Sequence, residues 1–182
     1  MKSELIFQPP VPFEQCHAST ILELPDGRFI AACFGGTREA CRDVGIWGAI
    51  CGGGGWGKAR LLAKVNDMAH WNPVLFMGQD NCVNLFFKVG NSCAYWKTWV
   101  IKSYDYCASW TDPVQLVPGC CNRGPVKNKC IILSDGSWLA PSSSEIGWWQ
   151  SFVDRSEDMG KSWTRGRLVS MDKKIAGELE EE

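Results

Sequence analysis

Short apolar runs alternate with tight-turn signals along this chain, which is the pattern of antiparallel β-hairpins. Asp26-Gly27 and Asp135-Gly136 suit turns that require a positive φ, as does Asp80-Asn81. No segment keeps a helical apolar period over three turns. The paired runs are residues 21–24 with 28–32, 74–76 with 83–87, and 131–133 with 137–140.

A second motif recurs in phase with these hairpins, at a period of about 53 residues. Residues 156–163 follow the pattern S-x-D-x-G-x-x-W, and residues 103–110 repeat it with Cys107 in place of the glycine. Residues 49–56 keep glycine and tryptophan but lack the serine and aspartate. The aspartate can accept hydrogen bonds from its own turn, the glycine permits a positive φ, and the tryptophan packs between strands.

Each unit is therefore predicted to be four strands, which is one blade of a β-propeller. We expect an all-β fold with blades at about 13–65, 66–120 and 121–170, and a tail at 171–182. A β-sandwich with accidental periodicity is the alternative. Three blades leave two apolar flanks open, which a truncated reading frame or a two-fold pairing of half-propellers would explain. We expect the homodimer.

Composition excludes several classes of function. The 182 residues carry a net charge of −1 and no basic stripe, so we expect no nucleic-acid partner. No apolar stretch approaches the ~18 residues of a membrane span, and the N-terminus does not look like a signal peptide, so we expect a cytoplasmic protein. Ten cysteines without a C-x-x-C pair, and two histidines, predict no metal or other cofactor. Reduced packing thiols are expected, with a disulfide framework as the alternative.

These motifs resemble the sialidase superfamily, in particular its predicted neuraminidase group with BNR/Asp-box repeats. The resemblance covers about residues 13–170 and implies half of a six-bladed, sialidase-type propeller. It further implies a glycoside hydrolase that acts on or binds an acidic sugar. The motifs are H-A-S-T at 17–20, F-G-G-T-R-E at 34–39, H-W-N-P at 70–73, K-V-G at 88–90, G-P-V-K-N-K at 124–129 and L-A-P-S-S at 139–143.

The resemblance also implies catalytic residues. In sialidases an arginine on the first blade is followed by the acid/base aspartate, and here Arg38 is followed by Asp43. Asp43 is therefore the candidate acid/base and Arg38 a substrate contact. A general acid needs a raised pKa, so we expect Asp43 in a partly desolvated cleft. The alternative is a loop-capping Asp43 with Arg38 as its ion-pair partner.

The chain also departs from the sialidase pattern. His17-Ala18-Ser19 stands where sialidases have Arg-Ile-Pro. The tyrosine nucleophile, its glutamate and the other arginines belong to later blades. We therefore expect the lone chain to be incomplete for hydrolysis.

The repeat phase further suggests a polar cleft at the starts of the innermost strands. It aligns His17 with His70 and Val126, and Ser19 with Asn72 and Asn128. Such a cleft would suit an acidic sugar, unless each histidine only bonds the backbone of its own blade. The predicted substrate-binding residues are His17, His70, Asn72, Lys88, Lys127, Asn128 and Glu145.

Three functions remain open from the sequence. The first is sialidase-like hydrolysis of an acidic sugar. The second is a polysaccharide lyase-like reaction on uronic acids, in which a histidine removes the proton beside a carboxylate. The third is a non-catalytic module for carbohydrate binding or assembly, because fold alone does not determine activity.

Overall fold

The computed structural model describes residues 3–147 and 149–169, which form three antiparallel sheets. In each sheet the strands follow one another in chain order, as in a propeller blade. The three-blade, all-β prediction is confirmed. Within the described residues the helical content is one 3₁₀ turn at Cys93–Tyr95, and no helix is long and apolar enough to cross a membrane. The predicted tail at 171–182 lies outside the described residues.

The first blade has an interrupted outer strand. Its third strand pairs with a two-residue segment and then with a four-residue segment along the same edge. The strands are β1 (Gln15–Glu23), β2 (Phe29–Gly36), β3 (Gly45–Gly52), β4 (Gly55–Trp56) and β5 (Arg60–Ala63).

The second and third blades each have four strands. The second contains β6 (His70–Met77), β7 (Val83–Val89), β8 (Lys97–Ser103) and β9 (Val114–Gln115). The third contains β10 (Ile131–Ile132), β11 (Trp138–Ser144), β12 (Gln150–Ser156) and β13 (Thr164–Leu168).

The two Asp-box turns are held by their own side chains. In the third blade the Asp158 carboxylate accepts hydrogen bonds from the backbone N–H groups of Lys161 (3.0 Å) and Ser162 (2.8 Å). Ser156 Oγ accepts from the N–H of Gly160 at 2.8 Å. The hydrogen bond from the Ser162 hydroxyl is the main reason that the pKa of Asp158 falls to about 2. The motif therefore fixes the turn between third and fourth strands, as its sequence predicts.

Cys107 occupies the glycine position of the second Asp-box without a steric clash. It has φ of +67°, close to the +78° of Gly160. A Cβ on Gly160 would lie 2.7 Å from the ring of Trp138. Val83 pairs with Ser103 in the second blade, and Trp138 pairs with Ser156 in the third. Val83 therefore holds the position in the second blade that Trp138 holds in the third. The smaller valine leaves room for the cysteine side chain.

The first blade has no Asp-box. Residues 49–52 belong to β3, and Gly53 and Gly54 alone connect it to β4. This short turn needs no aspartate, because Gly55 adopts a φ of +91° and the glycines before it allow the chain to reverse direction. The eroded motif of the sequence is therefore a short hairpin turn.

The core lies between the blades. The first and second sheets bury one apolar cluster, in which the ring of Phe34 lies 5.6 Å from that of Trp71. The second and third bury another, in which Phe76 meets Trp138 edge-on at 4.8 Å. Packing of whole sheet faces therefore stacks the blades.

Candidate functional site

Strand direction separates the polar loops from the Asp-box turns. The β2–β3, β7–β8 and β11–β12 connections and the starts of β1 and β6 lie at one end of the strands, called here the loop face. The Asp-box turns lie at the other end. Hydrogen bonds between neighbouring blades support this alignment: His70 N–H donates to the Val44 carbonyl at 3.3 Å on the loop face. Arg28 donates to the Tyr106 carbonyl at 3.4 Å at the opposite end.

Asp43 caps its own loop. Its Oδ2 accepts hydrogen bonds from the backbone N–H of Thr37 at 2.6 Å and from the Thr37 hydroxyl at 2.8 Å. Asp43 is exposed, and these bonds hold its pKa below the ordinary value. The expected desolvated carboxyl with a raised pKa is therefore not found in this chain. At neutral pH Asp43 is an ionised acceptor.

The same loop presents Arg38 to solvent. The turn is tightened by Cys41 N–H, which donates to the Arg38 carbonyl at 3.0 Å. Lys64 ties this loop to the following one, because its Nζ donates to the carbonyls of Val44 (3.0 Å) and Met68 (2.9 Å). Among the described residues, Asp43 and Arg38 do not form an ion pair with each other. The guanidinium charge is thus available at the loop face.

His17 is exposed and lines a surface cavity of about 300 Å³. Its ring stacks on Phe34 with centroids 5.6 Å apart. The cavity is formed by Cys16–Ser19 of β1, Cys33 of β2 and the N-terminal residues 4–7. Arg38 and Asp43 do not line this cavity.

The assignment of His70 as a substrate contact needs correction. His70 is fully buried, and its ring stacks on Phe87. Nε2 accepts from the Val65 N–H at 2.8 Å, which leaves the proton on Nδ1 to bond the Met68 carbonyl at 2.9 Å. Burial lowers the pKa of His70 to about 4, so the ring is neutral. Both nitrogens serve the backbone of the blade, as in the alternative considered for the histidines.

The strand register also corrects the alignment of the first two blades by one residue. His17 pairs with Phe34, and after a bulge Thr20 pairs with Ala32. In the second blade it is Trp71 that precedes the same bulge, paired with Lys88. Trp71, not His70, is therefore the counterpart of His17. Asn72, half-buried at φ +42°, corresponds to Ala18 at φ +53°, so both are bulge residues.

Lys88 also needs correction, because it lies inside the protein rather than in a cleft. Its Nζ donates to Thr98 Oγ1 at 2.7 Å and to the carbonyls of Arg123 (2.8 Å) and Gly124 (3.5 Å). Burial lowers the pKa of Lys88 to about 7, against the opposing effect of Asp154. Lys88 therefore anchors the segment that enters the third blade.

The other three predicted residues lie in loops of the third blade. Lys127 and Asn128 are exposed in the segment before β10. Glu145, half-buried after β11, accepts from Ser143 Oγ at 3.1 Å. A hydrogen bond with Glu145 raises the pKa of the Cys93 thiol.

Sequence reasoning missed a buried ion pair beneath these loops. Arg123 donates to Asp154 from Nε at 2.9 and 3.0 Å and from Nη2 at 2.8 Å. Asp154 also accepts from Gly124 N–H at 2.6 Å and Ser142 Oγ at 3.3 Å. One sequence signal existed: Asp154 alternates with Phe152 on a strand, which puts an acid at an inward position.

Lys129 connects the innermost strands of the first two blades. Its Nζ donates to the carbonyls of Ile21 (2.6 Å) and Leu75 (3.0 Å), and to Thr20 Oγ1 at 3.4 Å. Burial lowers the pKa of Lys129. Among the described residues, no three His, Cys, Asp or Glu side chains converge to hold a metal ion.

The repeated blades and the Asp-box turns decide the family. The sequence matches the BNR repeat-like domain over residues 27–181. The chain belongs to the BNR repeat-like domain family. No functionally curated protein matches it.

Solved structures share the fold of this BNR repeat-like chain at low sequence identity. A variant of NanB sialidase from Streptococcus pneumoniae gives a TM-score of 0.73 at 10% identity, covering 92% of this chain and 46% of that one. The Hadza microbial sialidase Hz136 gives 0.71 at 11%, covering 85% and 38%. An endo-arabinase from Bacteroides thetaiotaomicron gives 0.67 at 11%, covering 91% and 66%.

These similarities establish a sialidase- and arabinanase-like propeller, which is a glycoside hydrolase-like fold. They do not select one activity, because the same fold carries both kinds of enzyme. The chain spans less than half the length of the two sialidases and about two thirds of that of the arabinase.

Proposed function

We propose that the loop face binds an acidic sugar, and that this chain supplies the binding half of a sialidase-like glycoside hydrolase. The observation that carries the proposal is a pair of exposed cations, Arg38 and Lys127. Within the described residues neither forms an ion pair with a carboxylate. Both charges are therefore free to meet a sugar carboxylate, for which the planar guanidinium of arginine offers two parallel hydrogen bonds.

Asp43 has a different role in the lone chain from the one that a general acid requires. Ionised and held by Thr37, it accepts hydrogen bonds from sugar hydroxyls but has no proton to give at neutral pH. Desolvation is what raises a carboxyl pKa, so acid catalysis by Asp43 requires further blades that cover it. This low pKa favours the second candidate function, a non-catalytic carbohydrate-binding module.

The lyase-like alternative rests on one residue. Of the two histidines, His70 is buried and fully bonded, so His17 is the group left to remove a proton. An unsaturated, ultraviolet-absorbing product from a uronic-acid polymer, lost in His17→Gln, would support the lyase.

The binding proposal is tested by calorimetry with N-acetylneuraminic acid and with its neutral methyl ester. We expect the acid to bind more tightly, and Arg38→Gln to weaken the acid about ten- to a hundredfold, since a charge-assisted hydrogen bond contributes roughly 1.5–3 kcal/mol. The ester should be less affected by the substitution. Arg60→Gln is the matched control, because Arg60 is exposed on the outer strand β5.

Two results would count against acidic-sugar binding at this face: equal affinity for acid and ester, or an equal loss in Arg60→Gln. Hydrolysis is a separate question, measured with a fluorogenic sialoside. Turnover that is unchanged in Asp43→Asn would remove the acid role of Asp43 and leave the binding proposal intact.

A further inference from the structure

Two cysteines of the first blade lie on the same face of its sheet. In the register of β1 and β2, Cys16 pairs with Gly35 and His17 pairs with Phe34. Side chains alternate between the two faces along a strand, so Cys33 lies on the same face as Gly35 and therefore as Cys16. Because the residue directly opposite Cys16 is a glycine, no side chain of β2 stands between the two thiols on this face.

The two thiols are also in contact. Burial raises the pKa of Cys33, and the neighbouring Cys16 thiol, which hydrogen-bonds to it, raises this pKa further. Both residues line the surface cavity of about 300 Å³ on which His17 lies. A disulfide joins its sulfur atoms at about 2.0 Å, so two thiols that already share a hydrogen bond need only a small further approach to be joined.

The two cysteines differ in their access to solvent. Cys16 is exposed, whereas Cys33 is 1% exposed. The thiolate is the nucleophile in disulfide exchange, and burial keeps the thiol of Cys33 protonated. Cys16 is therefore the thiol that an oxidant from solvent reaches first, and Cys33 is placed to attack Cys16 from inside the protein.

The cavity determines the kind of oxidant that fits. Residues 4–7 form another of its walls. Phe7 of this segment packs edge-on against Phe13 at 5.6 Å, and the Phe13 ring in turn lies against Gly35. The cavity has the size of a small-molecule site and lies between this segment and β1. A low-molecular-weight disulfide fits such a site better than a folded protein does.

We propose that Cys16 and Cys33 form a reversible disulfide by exchange with a low-molecular-weight disulfide such as oxidised glutathione. The Cys16 thiolate attacks one sulfur of the oxidant, whose S–S bond breaks, and the first glutathione leaves with the proton that Cys16 gave up. Cys33 then attacks the Cys16 sulfur, and the second glutathione leaves with the proton of Cys33. Two protein thiols are oxidised, and one small disulfide is reduced to two thiols.

Other cysteines of the chain do not combine these features. Cys120 is exposed as well, but its neighbour Cys121 is adjacent in sequence. Adjacent Cα atoms are about 3.8 Å apart, closer than the ~4.4 Å at which ordinary disulfides begin. Cys82 is buried, and its side chain hydrogen-bonds to Tyr104 instead of to a second thiol.

The test is oxidation of the folded 182-residue chain by oxidised glutathione, followed by alkylation of the remaining thiols and peptide mapping by mass spectrometry. We expect a peptide in which Cys16 and Cys33 are cross-linked, and excess reduced glutathione should release it. In Cys33→Ala the reaction should stop at a mixed disulfide of Cys16 with glutathione. In Cys16→Ser the modification of Cys33 should be at least about tenfold slower than in the wild type, because the buried thiol is not a nucleophile.

Cys120→Ser is the matched control, because it removes an exposed thiol elsewhere and should leave the cross-link unchanged. Circular dichroism checks that the variants fold, and Cys16→Ser, at an exposed position, gives an answer even where Cys33→Ala does not fold. A folded wild type without the Cys16–Cys33 cross-link at any ratio of oxidised to reduced glutathione would overturn the proposal. A cross-link that appears only in urea, or a stable mixed disulfide of Cys16 in the wild type, would do the same.

Discussion

Substitution of Asp154 by asparagine tests how the second and third blades are joined. Asp154 is completely buried and carries the carboxylate for Arg123, whose side chain is 11% exposed. Gly124 N–H and Ser142 Oγ complete its hydrogen bonds. Lys88, with a pKa lowered to about 7 by burial, is the second cation that this carboxylate stabilises. Asparagine keeps the shape of the side chain and removes only the charge.

The expected loss of stability follows from the Arg123 charge, which stays buried when the Asp154 charge is removed. Removing one partner of a buried ion pair costs about 3–5 kcal/mol, because the other charge stays buried without compensation. Asparagine still offers an oxygen to the Gly124 N–H, and Lys88 can release its proton once the nearby anion is gone. Both effects reduce the cost, so we expect a loss of about 3 kcal/mol in the free energy of unfolding.

The assay is urea unfolding at pH 7, followed by tryptophan fluorescence with wild type and variant at equal concentration. The slope with urea should be unchanged, since the surface exposed on unfolding is the same. Asp135→Asn is the control: Asp135 pairs with Arg155 at 2.7 Å, but the two side chains are 53% and 44% exposed. Its loss should be about 0–1 kcal/mol. A loss in Asp154→Asn no larger than in this control would refute the reasoning.

Two further predictions concern stability. Because burial lowers the pKa of His70 from 6.5 to about 4, the unfolded chain binds the proton first as the pH falls. The wild type should therefore lose about 3 kcal/mol between pH 6.5 and 4, whereas His70→Gln should be flatter in that window by chemical denaturation; parallel profiles would contradict this. Gly160→Ala should lower thermal stability by about 1–3 kcal/mol more than Gly119→Ala, since both glycines have φ of +78° but only Gly160 faces the Trp138 ring; equal melting temperatures would show that this contact is easily relaxed.

The blades were predictable because their signals are local. Each Asp-box fixes its turn through side chains within six residues, such as Ser156 with Gly160. In each of the three hairpins between first and second strands, an aspartate accepts a hydrogen bond from the backbone N–H two residues later, as Asp135 does from Ser137. Such bonds form wherever the residues occur in that order, so the sequence is sufficient to place them. The two-residue Gly53-Gly54 turn of the first blade was not predictable in the same way. Residues 49–56 lack the serine and aspartate whose side chains fix the longer turn, so no local side-chain signal indicates the turn that replaces it.

Register was the first thing that the sequence left undetermined. His17 and His70 each open an innermost strand, and an approximate period makes them equivalent. The bulge after His17 and the one after Trp71 show the true correspondence, one residue further along. A shift of one residue moves a side chain to the other face of a strand. His17 is accordingly exposed and His70 enclosed, although both occur in similar motifs.

The sequence also left undetermined which side chains from different blades contact one another. Lys88 follows an apolar run in the sequence, from which position it was predicted to reach the cleft, whereas the structure places it inside β7. Its stabilising groups, the Arg123 carbonyl and the Asp154 carboxylate, come from the next blade and meet it only when the sheets stack. The segment they hold continues to Lys127, which is exposed. Lys88 thus holds the segment that leads to Lys127 and does not itself face a cleft.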